Sequence, residues 1–444
     1  MKEFKNMKES EKLSKTLSIG IFDSFGATNL GDLATQQAMI QNLRKFHPEA
    51  KIYGFSLHPE DTEKRFNIPS FPISRIAETD EWKLGRNPNY LSLKLYKFYC
   101  KLMNVDNPLL RVFLRPILFL WALVFEFFAV IKAYKNVGLL DILIISGGGQ
   151  LDDYWGGARA HPYTLFLWAS LARLRRVKLA FVSVGAGPIK SNLSKYFIKN
   201  ALSKAFYRSY RDEDSKKYIE RVVGFKKDDP VYPDLAHSLQ LGKYFKSSHQ
   251  STGQPIVGIN PMPPFDPSKG YDELSHMNYL NKLFIFTSWL LEKKYRVSFY
   301  PGCIGQDIPA IKQLKNMLES NGVSYSKEQI IEEPINSVDE LILHLSTINM
   351  VVASRFHGVL LPLLSCKPTI AISYHPKIDM LMKDTGQSEY CLGIDDFEVE
   401  VLKRKFVDLQ ANYESVKQQL YKRTQEYKID LNQQYEYLFK NVIT

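Results

Sequence analysis

The chain has 444 residues, 45% of them apolar and 13% aromatic, and a net charge of +11. That length exceeds one ordinary core and fits two domains, and the composition excludes a disordered chain. The excess of Lys and Arg favours anionic partners, but it is scattered and accompanied by no zinc-finger or RNA-recognition pattern, so nucleic acid is not expected.

The opening residues, MKEFKNMKESEKLSKT, are charged and lack the apolar stretch of a secretory signal, which predicts a cytoplasmic protein. Cys100, Cys303, Cys366 and Cys391 show no CxxC spacing. Reduced thiols and no bound metal are therefore expected.

The first element is a strand over residues 18–23, followed by the turn SFGATNLGD and a helix over residues 32–46. Gly26 and Gly31 permit tight backbone there. The N–H groups at such a helix start suit an anion or a sugar hydroxyl, with Asn29 and Asp32 as added polar groups. Asp32 could equally be a plain helix cap. Residues 116–132, PILFLWALVFEFFAVIK, form an apolar run that Glu126 interrupts and that is shorter than the roughly 20 residues needed to span a bilayer. Such a helix either packs on a sheet or rests on the inner face of a membrane.

A strand over residues 141–145 leads into SGGGQLDD. Gly148 and Gly149 bring backbone close to a ligand or to a neighbouring element, and Asp152 and Asp153 could hold sugar hydroxyls or cap a helix. SVGAGP, residues 183–188, repeats the device of a strand followed by glycine. In YRSYRDEDSKKYI, Arg211 follows a short aromatic strand and precedes a helix marked by Asp212 and Ser215. It could clamp a carboxylate or phosphate, or pair with its acidic neighbours. VYPDLAHSL places Asp234 at a further strand end. The polar stretch GKYFKSSHQSTGQP, residues 242–255, marks a domain boundary, giving domains over residues 1–250 and 251–444. Aliphatic runs alternating with helical patterns indicate βα units and parallel sheets, whose ligands collect at the carboxyl ends of the strands.

In the second half, a strand over residues 350–353 ends in Ser354, Arg355 and His357 before a helix over residues 358–365. A helix start disfavours an imidazolium unless an anion sits beside it, and Arg355 can supply that anion site. The pair suits binding an acidic substrate and giving it a proton. Residues 398–439 read as one or two long terminal helices.

Taken in order, Asn29 to Asp32, GGGQLDD, Arg211 in YRDEDS, Asp234 in YPDLA, QDIPAI from Gln306, and ASRFHGVLLPLLSCKPTIAISYHPK resemble the polysaccharide pyruvyl transferase family. The resemblance implies an α/β protein with two Rossmann-like domains facing a cleft, similar to GT-B glycosyltransferases, with the acceptor on the N-terminal domain. It implies transfer of an enolpyruvyl unit from phosphoenolpyruvate, a co-substrate, onto two sugar hydroxyls of a polysaccharide or its precursor, which could be lipid-linked. No cofactor is implied. Carried over, Arg355 and Arg211 become ligands of the donor anion, and Ser354 stands in the same SRxH element. His357 becomes the general acid, and Asn29, Gly31 and Asp32 take an acceptor or cleft role; chemically, a carboxylate such as Asp32 could take the acceptor's proton. Two other readings stay open: a glycosyltransferase of the same fold using a nucleotide-sugar, and a catalytically inert carbohydrate-binding or assembly protein.

Overall fold

The computed structural model describes residues 16–22, 28–74, 108–154, 156–242, 254–263 and 272–443, with backbone alone for 108–122 and 442–443. The charged opening residues up to Lys15, Gly26, Cys100 and most of the polar stretch at 242–255 lie outside them. The chain forms two compact units: Met1–Gly26, Asn42–Val231 and Glu436–Thr444 make the first, and Ala27–Gln41 with Tyr232–Tyr435 make the second.

The first unit holds β1 (Ser18–Phe22), β2 (Lys51–Ser56), β3 (Ser70–Pro72), β4 (Ile142–Ser146), β5 (Lys178–Val184) and β6 (Tyr207–Tyr210) in the order β3-β2-β1-β4-β5-β6. All pairs are parallel. The central strands β1, β4 and β5 are apolar and buried along most of their length, as strands inside a parallel sheet are. Their core centres on Trp168, against which the rings of Phe22 and Phe55 pack edge-on at 5.7 and 5.0 Å. The buried indole N–H of Trp168 is satisfied by the carbonyl of Ile73 at 2.8 Å.

The apolar run at 116–132 lies within the helix Pro108–Val137. Its last turns are buried in this core through Ala133 and Val137. Leu123, Val124, Phe127 and Phe128 are instead exposed, the two phenylalanines at 62% each. Among the described side chains of this helix, burial therefore begins only after the run, at Ala133, and within the run Val130 is partly buried against the core. No described helix is long and apolar enough to cross a membrane.

The second unit repeats the plan with β7 (Ile256–Asn260), β8 (Arg296–Phe299), β9 (Ile330–Ile331), β10 (Met350–Ala353), β11 (Thr369–Ser373) and β12 (Cys391–Gly393), in the order β12-β11-β10-β7-β8-β9. These pairs too are parallel. Counted from its own first strand, each sheet has the Rossmann order 3-2-1-4-5-6, whose reversal opens a crevice beyond the carboxyl ends of the two central strands. In the second sheet those strands are β7 and β10. The terminal stretch forms two helices, Val399–Ala411 and Tyr413–Tyr437.

Candidate active site

At the switch point of the second sheet the carboxyl end of β7 is Asn260 and that of β10 leads into Ser354 and Arg355. Asn260 links the two ends: its Nδ2 donates to the carbonyl of Tyr300 at 2.9 Å and its Oδ1 accepts from the backbone N–H of Arg355 at 3.3 Å. A Cβ on Gly358 would stand 2.1 Å from that Oδ1, so the helix can start this close to β7 only with glycine there.

The helix spans Phe356–Leu364, two residues earlier at its start than the sequence suggested, with Arg355 as its N-cap residue. Its first internal bond runs from Val359 N–H to the Arg355 carbonyl at 2.8 Å. His357 thereby sits inside the first turn rather than ahead of it.

Arg355 is held by QDIPAI, at the start of the helix Ile304–Ser320. Its Nε donates to Asp307 Oδ1 at 2.5 Å and one terminal nitrogen donates to Gln306 Oε1 at 2.7 Å. Asp307 is fully buried, and its Oδ2 accepts from the backbone N–H groups of Gly302 and Cys303, each at 2.8 Å. Burial pushes the Asp307 carboxyl upward, while Arg355 and those amides pull it back. Burial prevails, so the carboxyl is held above the usual carboxylate range with the Arg355 guanidinium as its facing charge. For Arg355 burial lowers the pKa, but Asp307 leads the groups that outweigh it, and the guanidinium is held above its ordinary value. The arginine is thus a fixed cation. Its Nη1 makes no hydrogen bond to the described residues, and its side chain stays 18% exposed. Burial keeps the neighbouring Cys303 thiol protonated, raising its pKa.

Ser354 has a different task. Its hydroxyl is buried and meets the Tyr279 hydroxyl at 2.7 Å, which anchors the end of β10 to the helix Glu273–Glu292.

The segment carrying Asn29, Gly31 and Asp32 belongs to this same unit. Its helix is Leu30–Phe46, starting two residues before the expected position because the Leu30 N–H is satisfied by the carbonyl of Gly302 at 3.0 Å. Asn29 forms an antiparallel bridge with Cys303, donates through Nδ2 to Asp32 Oδ2 at 2.5 Å, and accepts at Oδ1 from the N–H of Gly31 at 3.1 Å. The His357 ring lies against Gly31: a Cβ on Gly31 would fall 1.9 Å from its Nδ1 and 2.4 Å from its Cβ. Gly31→Ala should therefore displace the imidazole at its root, costing about 1–3 kcal/mol as overpacking does. Urea unfolding measures that cost, and a wild-type midpoint would show that the ring does not rest on Gly31.

On the other side of the ring stands Asp234, which sequence reading placed at a strand end. It is instead the N-cap of a short 3-10 helix, Leu235–Ser238. Asp234 Oδ1 accepts from the N–H of Ala236 at 3.0 Å and the hydroxyl of Thr35 at 3.4 Å, and its Oδ2 is 3.9 Å from His357 Nε2. Burial keeps the adjacent His237 neutral, its pKa lowered to about 4 despite Asp234. Asp234, Asp307 and Gln306 were all visible as motif residues, but nothing local in the sequence assigned them to His357 or Arg355.

In the first unit the glycine turns after β4 and β5 are joined. The N–H of Gly185 donates to the carbonyl of Gly148 at 2.7 Å, and Leu151 bridges Ala186. Gly147 and Gly148 have φ of 53° and 65°, where glycine is favoured, and Gly149 follows beside Asp152. Arg211 leaves β6 across Gly185, where a Cβ would meet its guanidinium at 2.7 Å, and its Nε donates to Asp212 at 3.3 Å. Asp212 also caps the helix Glu213–Tyr218, as expected. Asp153 is occupied by the backbone, accepting from the N–H groups of Lys190 and Ser191 at 2.9–3.0 Å. Among the described residues no group of three or more His, Cys, Asp or Glu side chains is gathered as a metal would require.

Two parallel sheets in Rossmann order, each with its turns at the carboxyl ends, define an α/β protein of GT-B-like architecture. The chain belongs to the polysaccharide pyruvyl transferase family, whose sequence profile matches residues 29–376. Among solved structures it is similar in fold to HepE from Anabaena in complex with UDP, with a TM-score of 0.56 at 10% identity, covering 96% of this chain and 100% of that one. A glycosyltransferase from Rickettsia africae gives 0.54 at 11% identity, again with 96% and 100% coverage. A UDP-GlcNAc 2-epimerase from Neisseria meningitidis gives 0.52 at 12% identity, with the same coverage. No curated protein matches the chain.

Proposed function

We propose that the protein transfers the pyruvyl group of phosphoenolpyruvate onto two hydroxyls of a sugar in a polysaccharide or its oligosaccharide precursor, free or lipid-linked, forming a cyclic ketal and releasing phosphate. The observation that best supports this reading is the immobilised Arg355 beside His357 at the switch point of the second sheet, in a chain of this family. A guanidinium whose Nε is fixed by a buried carboxylate keeps a terminal edge in a set direction, which suits a planar carboxylate or a phosphate. Arg211, at the carboxyl edge of the first sheet, is proposed as a further anion ligand.

In this reading His357 gives its proton to the methylene carbon of phosphoenolpyruvate, leaving positive charge on the carbon that bears the phosphate. A sugar hydroxyl adds to that carbon and loses its proton, which Asp32 is proposed to take. Phosphate then leaves with the bonding pair and carries away the proton held by Asp32, and the second hydroxyl closes the ring, its proton restoring His357. Phosphoenolpyruvate enters as a co-substrate and no resident cofactor is invoked.

A donor that binds the folded protein raises its melting temperature by mass action, by the equivalent of about 2.7 kcal/mol at about a hundredfold excess over Kd. Phosphoenolpyruvate should give such a shift, and incubation with oligosaccharide acceptors should add the mass of a pyruvate ketal. Stabilisation by a UDP-sugar but not by phosphoenolpyruvate would replace this reading with glycosyl transfer.

A further inference from the structure

We infer that Asp234 is a positioning residue that holds His357 in its charged, proton-bearing form. The inference deepens the proposed function and rests on it for the reaction, but not for the coupling between the two side chains. Its basis is geometric. The His357 ring is confined on one side by the backbone of Gly31, where not even a methyl group fits. On the other side Asp234 Oδ2 stands 3.9 Å from Nε2. Asp234 is itself fixed, because Oδ1 is committed to the Ala236 N–H and approached by the Thr35 hydroxyl. Only 4% of its side chain is exposed, and 11% of that of His357.

The separation exceeds hydrogen-bond length, so the carboxylate acts by charge without taking the Nε2 proton, and that proton can still be given to a substrate. An opposite charge at this range favours the imidazolium, which offsets the effect of the helix start on which His357 sits. The other charged or titratable groups around the ring do not replace Asp234. His237, from the same 3-10 helix, is buried and neutral, and Asp32, on the helix carrying Gly31, is hydrogen-bonded to Asn29. Arg355, at the helix start itself, is cationic and turned to Asp307 and Gln306.

Asp234→Asn preserves shape and can still accept from Ala236 N–H, so the 3-10 cap survives. Asp234→Glu keeps the charge. The His357 imidazole signal, assigned by its loss in His357→Ala, should titrate in Asp234→Asn with a midpoint about one pH unit or more below wild type, and in Asp234→Glu close to wild type. With phosphoenolpyruvate and acceptor, Asp234→Asn should lower kcat about 10- to 100-fold and leave KM for phosphoenolpyruvate within about twofold, while Asp234→Glu recovers most of kcat. An unchanged imidazole midpoint in Asp234→Asn overturns the inference, whatever the reaction proves to be. Absence of any ketal with the wild-type protein removes the proposed function instead, and the titration still decides the role of Asp234.

Discussion

His357→Ala should lower turnover about 10²- to 10⁴-fold, the usual contribution of a positioned general acid, while phosphoenolpyruvate still raises the melting temperature nearly as in wild type. The reason is the division of labour at the end of β10. Arg355 is fixed by Asp307 and Gln306 through bonds that do not involve His357, so the anion site remains when the imidazole is removed. The loss should fall on kcat rather than KM, because protonation of the methylene carbon develops only in the transition state. Steady-state kinetics beside a thermal-shift titration make the measurement. Loss of the phosphoenolpyruvate shift with folding intact would make His357 a ligand rather than an acid. Turnover at the wild-type rate would place the acid elsewhere.

Asp307→Ala should cost about 3–5 kcal/mol of folding stability, the penalty for leaving the partner of a buried ion pair unpaired. Asp307 is fully buried and neutralises an Arg355 that is mostly so. The substitution also removes the acceptor for two backbone N–H groups, those of Gly302 and Cys303. Replacing both partners by apolar residues, Asp307→Leu with Arg355→Met, should recover much of the charge penalty, since no charge then remains buried. The orphaned amides keep that recovery incomplete. Urea unfolding of the single and double variants measures the difference, and phosphoenolpyruvate should stabilise neither. If the double variant unfolds no later than Asp307→Ala, the cost lies in the amides and not in the uncompensated guanidinium. If the double variant binds phosphoenolpyruvate as wild type does, Arg355 is not the donor ligand.

What is local in this protein is written locally. Aliphatic runs such as those at residues 142–146 and 350–353 specify buried parallel strands, because a run apolar on both faces can lie only between layers. Asp212 and Ser215 mark a helix start that forms where they stand. Ser354, Arg355 and His357 stand where a strand end meets a helix start, the place in such a sheet where backbone and side chains both face a ligand. Two helices start two residues before the positions their sequence suggests, and in one of them the extending donor, Leu30 N–H, is satisfied by the carbonyl of Gly302, 272 positions further along the sequence.

The tertiary structure alone decided which of the polar residues meet. Thr35 and Asp234 are 199 residues apart, Asp307 and Arg355 are 48 apart, and Thr28 reaches Cys303 across 275. No periodicity carries such pairings, because they depend on the order of strands in the sheet and on which carboxyl ends it brings side by side. The same limit explains Asp153 and Ser354. An aspartate after a glycine turn or a serine after a strand looks alike whether it faces a sugar or a buried donor. Only packing shows that the first is occupied by the amides of Lys190 and Ser191 and the second by Tyr279. Sequence determined the repeated βα pattern and the residue types at its strand ends. The fold determined that Gly31 and Asp234 flank His357, and that Asp307 fixes Arg355, because close packing and buried charge are settled by neighbours in space.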